Sequence, residues 1–302
     1  MSRMPGLSCL LTLSLLAAAP PALSAEEAPS VAAYPIVDTL FLLKGRGGNV
    51  VASVGDDGVL LVDDDYAELA LAYQQAVNAL AGGADTGPRF VLNTHWHTDH
   101  AGGNAYWGER GAVLVAHHNV RQRMSTRQEV KALGMVVEPA VPAALPVVTY
   151  GDAMALHFNG ADIELQHYPG GHTDGDTVVF FSQHNVLHTG DLFFKNRFPF
   201  VDISSGGNAL VYADNVAKLL ARVDDKTVIV PGHGSVASKT DLERYHLMLT
   251  RNIDTVRSAI AAGKSVDEVI AAGLGDEWDI WGSGFVDEPS WIRSIAASLP
   301  AN

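Results

Sequence analysis

Apolar runs separated by glycine-rich turns dominate the start of the globular part of the chain and predict strands. Three runs, over 36–43, 49–54 and 59–63, are separated by glycines between 45 and 48 and by the turn at 56–58. Apolar stretches bounded in this way are typical of β-strands. We therefore predict a meander of strands, followed by a helix over 68–80 that ends at a pair of glycines.

The rest of the chain alternates short apolar runs with longer stretches of helical spacing. The predicted strands lie at 90–93, 113–116, 163–168, 178–182, 185–188 and 228–230. The predicted helices lie at 117–127, 210–223, 242–262 and 266–270. Between them, 136–146 is rich in proline and predicts a loop, and the runs at 178–182 and 185–188 predict a hairpin. This order of elements indicates an α/β protein.

Four side chains that can bind metal ions fall within six residues directly after the predicted strand at 90–93. They are His95, His97, Asp99 and His100, in the order His-x-His-x-Asp-His. On an extended or irregular segment, His95 and His97 can converge on one ion, whereas Asp99 and His100 point elsewhere and suit a second. Imidazole and carboxylate together are ligands that Zn²⁺ accepts readily. The motif therefore predicts a metal site at the C-terminal end of a strand, where α/β proteins usually place their sites.

This motif resembles the signature of the metallo-β-lactamase superfamily. The resemblance implies a four-layer αββα sandwich in a single domain, with two zinc ions as cofactors. It also implies three later ligands in fixed order: a histidine, an acidic residue or cysteine, and a final histidine. His172, Asp191 and His233 stand in that order, each on a loop after a predicted strand.

The resemblance also assigns the ligands to the two ions. One zinc takes His95, His97 and His172. The other takes Asp99, His100 and His233, with Asp191 between the ions. The chemistry implied is hydrolysis, in which a hydroxide shared by both ions attacks an amide, lactam, ester or lactone carbonyl while Asp99 orients it. β-Lactamase-like activity belongs to this range, although Asp191 replaces the cysteine of the well-known Cys-ligated enzymes.

Two other functions stay open at this point. A redox di-iron protein is the first, although relatives with iron usually carry Glu where His97 stands. A non-catalytic periplasmic metal-binding protein is the second. The C-terminal part of the chain lacks the basic cluster that binds glutathione thioesters in glyoxalase II relatives, which disfavours a thioesterase.

Possible substrate contacts follow Asp191 directly. Lys195 or Arg197 could bind a substrate carboxylate, and the phenylalanines around them form either an apolar wall or part of the core. Trp96, between two predicted ligands, either lines the mouth of the site or packs inward. The aromatic residues near the C-terminus predict packing or, alternatively, a lid; they are Trp278, Trp281, Phe285 and Trp291.

The other histidines are predicted to be surface residues or supports for the ligands, and His188 is the candidate to orient one of them. The full set is His117, His118, His157, His167, His184, His188 and His246.

The N-terminus has the features of a secretory signal. Arg3 precedes an apolar run at 10–19 that is too short to span a bilayer, and small residues at 22–25 offer a cleavage site. We predict a signal peptide over 1–25, a linker over 26–35 and a hydrolase domain with C-terminal helices over 36–302. The location would then be periplasmic or secreted, with no membrane anchor. Cys9, the single cysteine, lies inside the signal.

Composition narrows the choice of partner. The net charge of −14 argues against nucleic acid, because a phosphate backbone requires lysines and arginines to replace its counterions. A hydrophobic content of 47% with 18% charged residues is that of a globular protein with a substantial core. We therefore expect a small-molecule substrate, and the sequence does not determine the oligomeric state.

Overall fold

The structure of the protein is a computed structural model that describes Met1, residues 30–83 and residues 87–300. Apart from Met1, the predicted signal peptide lies outside the described residues, as does Cys9. No helix of the described residues combines the length and the apolar character needed to cross a bilayer.

Strands and α-helices alternate along the described residues. The strands are β1 (Ala32–Val37), β2 (Leu40–Lys44), β3 (Val50–Gly55), β4 (Gly58–Val62), β5 (Phe90–Asn93), β6 (Val113–His117), β7 (Gln128–Val130), β8 (Met135–Val137), β9 (Val148–Tyr150), β10 (Ala153–Phe158), β11 (Ala161–His167), β12 (Thr177–Phe181), β13 (Val186–His188) and β14 (Val228–Val230). The α-helices are α1 (Ala70–Leu80), α2 (Thr98–Ala101), α3 (Asn104–Gly108), α4 (His118–Met124), α5 (Ala209–Arg222), α6 (Lys239–Ala261), α7 (Val266–Ala272) and α8 (Glu288–Ser298).

Two sheets form the middle of the molecule. The first has seven strands in the order β1-β2-β3-β4-β5-β6-β9. It is antiparallel from β1 to β4 and parallel from β4 to β9. The second has the order β10-β11-β12-β13-β14, and only its last pair is parallel. The predicted hairpin at 178–188 is confirmed, since β12 pairs antiparallel with β13.

The sheets pack face to face and each carries helices on its outer face. Leu60 and Leu92 of the first sheet share a buried cluster with Phe181 of the second. Outside the first sheet, Tyr73 of α1 and Trp107 of α3 cover the other side of its strands. The inner strands β3 and β4 are therefore apolar almost throughout, whereas β1 and β10, at the ends of the two sheets, are partly exposed.

Helices α5, α6 and α8 cover the outer face of the second sheet and complete the predicted four-layer αββα sandwich. Tyr245 and Trp291 are buried there together with Trp281, which lies in a 3₁₀ helix at Asp276–Ser283. The C-terminal tryptophans are therefore packing residues. Phe285 is different, because most of its side chain is exposed.

Four sequence predictions differ in detail from the structure. The single strand expected at 36–43 is a hairpin, because Asp38 adopts a left-handed conformation with φ +46° and reverses the chain between β1 and β2. β1 also begins within the predicted linker over 26–35. The helix expected at 117–127 ends at Met124, and β7 and β8 form a hairpin that overlaps the predicted loop. Strands of three residues are too short to show an alternating pattern.

Candidate metal centre

The loops that follow strands at one edge of the two sheets bring the predicted ligands together. The segment from His95 to His100 follows β5 and runs into α2, and His172 lies on the loop after β11. Asp191 follows β13, and His233 follows β14. Residues separated by up to 138 positions in the chain therefore meet in one place, at the C-terminal ends of strands, as the resemblance implies.

The first group of potential ligands consists of three histidines. His95, His97 and His172 offer ring nitrogens that lie within 4.8 Å of one another. Nδ1 of His97 is 2.9 Å from Nε2 of His172, too close for two protonated nitrogens to be favourable. The three rings meet nearly edge to face, so their nitrogens point toward a common centre.

The second group combines two histidines with a carboxylate. Nε2 of His233 is 3.3 Å from Oδ2 of Asp99 and 3.3 Å from Nε2 of His100. These three ligand atoms also lie within 4.8 Å of one another. A third group, made of His95, His100 and Asp191, overlaps both, so the two sets of potential ligands adjoin at these residues.

Asp191 lies between the two groups and presents one oxygen to each. Its Oδ1 is 3.0 Å from Nε2 of His100 and 3.4 Å from Nε2 of His233. Its Oδ2 is 3.4 Å from Nε2 of His172 and 3.8 Å from Nε2 of His95. This is the arrangement expected of a carboxylate that bridges two ions.

The backbone at Gly232 passes close to the carboxylate of Asp191. A Cβ atom on Gly232 would lie 2.0 Å from Oδ1 of Asp191, so only glycine fits there. The hydroxyl of Tyr212 donates to the backbone carbonyl of Asp191 at 2.6 Å. His188 accepts from the N–H of Gly190 at 3.1 Å and contacts the carbonyl of Asn49 at 2.9 Å. His188 therefore supports the backbone before Asp191. The sequence analysis named it as the candidate to orient a ligand, but its hydrogen bonds within the described residues go to backbone groups.

Hydrogen bonds on the far side of each ring orient the histidines. Nδ1 of His100 is 2.7 Å from Oδ2 of Asp63, and the same oxygen accepts from the Thr94 hydroxyl at 2.8 Å. The Thr94 hydroxyl is in turn 3.1 Å from Nδ1 of His95. Asp63 thereby fixes the proton on Nδ1 of both histidines, one from each group, and leaves Nε2 free for a metal.

The remaining histidines of the first group have partners of their own. Nε2 of His97 is 3.1 Å from Oδ2 of Asp202, so Nδ1 is the nitrogen that it turns toward His172 and the other ligands of the group. Nδ1 of His172 donates to the carbonyl of Phe200 at 2.7 Å. Sequence reasoning missed both Asp63 and Asp202. Asp63 could have been found, because it directly follows β4, the neighbour of β5; Asp202 lies in an irregular loop that carries no such signal.

The charges and unpaired atoms of the cluster suit a cation. Among the described residues, the buried Nε2 of His95 and Oδ1 of Asp191 have no hydrogen-bond partner, which is costly unless an ion or another ligand compensates. Burial and the neighbouring His100 lower the pKa of His95 well below its usual value, and burial lowers that of His172 to about 4. Both rings are neutral near pH 7, as metal ligation requires.

The second group holds opposite charges in the absence of an ion. Burial raises the pKa of Asp99, but the charge of His100 and the contact with His233 outweigh it and bring the value to about 2. Burial lowers the pKa of His233, but attraction to Asp191 outweighs it and raises the value to about 9. A metal ion held here would compete with a proton for His233. The donor set of imidazoles and carboxylates suits metal ions.

A cavity of about 340 Å³ opens onto both groups, with Asp99, Asp191 and His233 in its wall. Arg197 lines it, as predicted for a substrate contact. Lys195 is not among the residues that line it: its Nζ lies 3.0 Å from Oδ2 of Asp241 and donates to the carbonyl of Val236. The ammonium is held by the start of α6 instead of facing the site.

Aromatic side chains form much of the cavity wall. Phe194, Phe198 and Phe200 line it, whereas Phe193 packs in the core against Tyr245. Both alternatives for this segment are therefore realised, one residue apart. Trp96 is nearly fully buried and also contributes to the wall.

Three other histidines form a separate cluster. The rings of His117 and His167 stack with centroids 3.6 Å apart, and His118 lies 4.1 Å from His117. His117 is buried and accepts from the N–H of Asn119 at the start of α4, so it is a structural residue.

Comparison with known proteins gives consistent results. The sequence model described as the metallo-beta-lactamase superfamily matches residues 43–233, which include all seven predicted ligands. A hydroxyacylglutathione hydrolase from Polaromonas sp. is 30% identical over 149 residues, and the match spans 47% of this chain and 47% of that enzyme. Metallo-beta-lactamase IND-1 from Chryseobacterium indologenes is 24% identical over 221 residues, 70% of this chain and 86% of the other.

A solved structure agrees with the fold. The DIM-1 metallo-beta-lactamase aligns with a TM-score of 0.60 and 16% identity, over 74% of this chain and 99% of that one. At this identity the similarity concerns the fold alone.

Proposed function

The chain belongs to the metallo-β-lactamase superfamily, and from this membership we propose that it is a zinc-dependent hydrolase that acts on an amide, lactam, ester or lactone. The observation that carries the proposal is the position of Asp191. Its two oxygens face two separate groups of ligands, 3.0 Å from His100 and 3.4 Å from His172. A carboxylate so placed suits a pair of ions that share one water.

The first group, His95, His97 and His172, would hold one ion. The second, Asp99, His100 and His233, would hold the other, and Asp191 would contact both. When bound, two zinc ions lower the pKa of a shared water from about 15.7 toward neutrality and polarise the carbonyl of the substrate.

The side chains around the cavity supply the remaining functions. Asp99 is ionised and partly exposed to the cavity, so it can accept a hydrogen bond from the attacking water and orient it. The ring of Phe194 stacks on His233 with centroids 5.1 Å apart and limits the positions that this imidazole can take. No serine or cysteine nucleophile is needed.

Arg197 is the cavity residue best suited to a substrate carboxylate. Its guanidinium has no ion-pair partner within the described residues. Arg46, the other arginine of the wall, pairs with Glu68 and lies over the ring of Tyr66. We infer that Arg197 binds an anionic group of the substrate where one is present.

The proposed function is tested by a screen of zinc-loaded protein against carbapenem, acyl-lactone, ester, thioester and phosphodiester substrates, with His97→Ala as the blank. Turnover of a carbonyl substrate that depends on zinc and is lost in His97→Ala supports it. If the loaded and chelator-stripped proteins are equally inactive on every carbonyl substrate, the hydrolase proposal is wrong. Iron as the metal of the purified protein would instead favour a redox protein.

A periplasmic or secreted location remains a proposal from residues 1–25 alone. Fusing these residues to a reporter enzyme that is active only outside the cytoplasm tests it. Reporter activity that requires Arg3 and the apolar run at 10–19 is the expected result.

A further inference from the structure

Large apolar side chains are exposed at the mouth of the cavity, on two separate parts of the chain. Leu133 and Met135 are 39% and 44% exposed, and they belong to the β7–β8 hairpin and the turn within it. Phe285 is 70% exposed and lies between the 3₁₀ helix at Asp276–Ser283 and α8. All three line the cavity. Exposed apolar groups clustered at a cleft indicate a surface that is covered when a ligand binds.

The hairpin presents one face to the cavity. Along β8, Met135 and Val137 line the cavity, whereas Val136 between them does not. Val130, which pairs with Met135 across the hairpin, also lines it and is buried. Successive side chains of a strand point to opposite faces, so Val130, Met135 and Val137 share the cavity side of this hairpin, and Gln128, which pairs with Val137, is its polar residue.

Phe200 connects this apolar mouth to the metal ligands. Its ring centroid is 5.9 Å from that of His97 and 5.8 Å from that of His172. It is also 5.8 Å from the ring of Phe285, in an edge-to-face contact. Apolar rings therefore lead from the imidazoles through Phe200 to the exposed Phe285.

We propose that this surface binds the apolar part of the substrate, so that the enzyme prefers esters, lactones or amides of medium-chain or aromatic acids over their short-chain counterparts. The chemistry of the bond that is cleaved rests on the proposed function, but the binding preference does not. A small amphiphile fits better than a lipid bilayer, because the net charge of −14 opposes binding to an anionic membrane surface. The surface is also continuous with the cavity.

The test compares acetyl, butanoyl, hexanoyl and octanoyl substrates that share one leaving group. We expect kcat/KM to rise by about fourfold for each methylene that the wall covers. Met135→Ser and Phe285→Ser should lower kcat/KM for the octanoyl substrate about tenfold more than for the acetyl substrate. Both residues are exposed, so these variants are expected to fold.

Matched controls use apolar residues of similar exposure that do not line the cavity. Val136→Ser, 48% exposed on the same strand, is the control for Met135→Ser, and Ile280→Ser, 66% exposed, is the control for Phe285→Ser. Both controls should leave the dependence on chain length unchanged. Equal effects of controls and test variants would overturn the inference.

A binding measurement separates this inference from the proposed function. Calorimetry with zinc-loaded protein should show tighter binding of octanoate than of acetate, with a negative heat-capacity change that Met135→Ser reduces. If no substrate is turned over but this preference holds, the apolar site is supported and the hydrolase function fails. If substrates are hydrolysed without any dependence on chain length, the apolar site is wrong and the hydrolase function stands.

Two results would assign the apolar mouth to another partner and overturn the inference. One is a dimer in sedimentation that Phe285→Ser dissociates. The other is binding to phosphatidylcholine vesicles that requires Phe285.

Discussion

Replacing Asp63 by asparagine removes a negative charge from behind the metal cluster without changing the size of the side chain. Asp63 is fully buried, and its Oδ1 accepts from the backbone N–H of Thr94 at 2.7 Å. The amide oxygen of asparagine must keep that place. Its NH₂ group then faces Nδ1 of His100 and the Thr94 hydroxyl, both of which now donate to Asp63.

The expected loss follows from the proton that must move. Nδ1 of His100 has to give up its proton to accept from the new amide, and the proton goes to Nε2, the nitrogen that faces Asp191. A buried hydrogen bond to a charged group contributes about 1.5–3 kcal/mol. Removing a carboxylate that orients a metal-binding histidine typically weakens metal affinity about 10–100-fold. We expect a loss in this range for the ion held by His100, and a smaller one for the ion of His95, which is linked to Asp63 through Thr94.

The assay is competition for zinc with a chromophoric chelator, which resolves the two dissociation constants. Asp64→Asn is the matched control. Burial and the adjacent Asp63 raise the pKa of Asp64 well above its usual value, and asparagine at this position can still accept from the N–H of Gly103. Unchanged affinity for both ions in Asp63→Asn would refute the reasoning. So would an equal loss in Asp64→Asn, because it would indicate a general effect on packing.

Three further predictions follow from the same structure. Gly48→Ala places a Cβ atom 2.2 Å from Cε1 of His100, so it should displace that ring and lower the bound zinc toward one equivalent in metal analysis. The control Gly151→Ala, whose Cβ atom would lie 3.9 Å from the nearest side-chain atom, should retain two equivalents. Full zinc content in Gly48→Ala would contradict the close contact. Lys195→Met should cost about 0.2–1 kcal/mol in urea unfolding and leave kcat/KM unchanged, since its ion pair is with Asp241; lower kcat/KM at unchanged stability would return Lys195 to the site. Because the pKa of His233 is raised to about 9, zinc must displace its proton below that pH. Zinc affinity should therefore increase by up to about tenfold per pH unit from pH 6 to 8, with proton release in calorimetry. Constant affinity over this range would show that His233 is not a ligand.

The ligands could be predicted because each is attached to the end of a strand that is visible in the sequence. β5, β13 and β14 are short apolar runs. His95 follows β5, Asp191 follows β13 and His233 follows β14, each within three residues of the end of its strand. Parallel strands and their neighbours carry their C-terminal ends at one edge of a sheet, so such residues meet. The four layers were implied by the resemblance to the metallo-β-lactamase superfamily and not by the apolar runs.

The supports of the ligands and the walls of the cavity could not be predicted in this way. Lys195 and Arg197 are two residues apart on an irregular segment, and only the structure shows that one turns to Asp241 while the other lines the cavity. Asp202 contacts His97 from a loop 105 residues away. The β7–β8 hairpin consists of two strands of three residues, too short for a periodic signal. Contacts of this kind depend on the path of each loop, and the sequence of a loop has no repeating pattern of apolar residues from which that path could be predicted.

The most direct test of the central claim is an anomalous difference map at the zinc edge from crystals grown with zinc. We predict two peaks about 3.5–4 Å apart. One should lie among His95, His97 and His172, the other among Asp99, His100 and His233, with an oxygen of Asp191 toward each. A single peak, or peaks away from these seven residues, would contradict the claim that the chain holds a pair of ions.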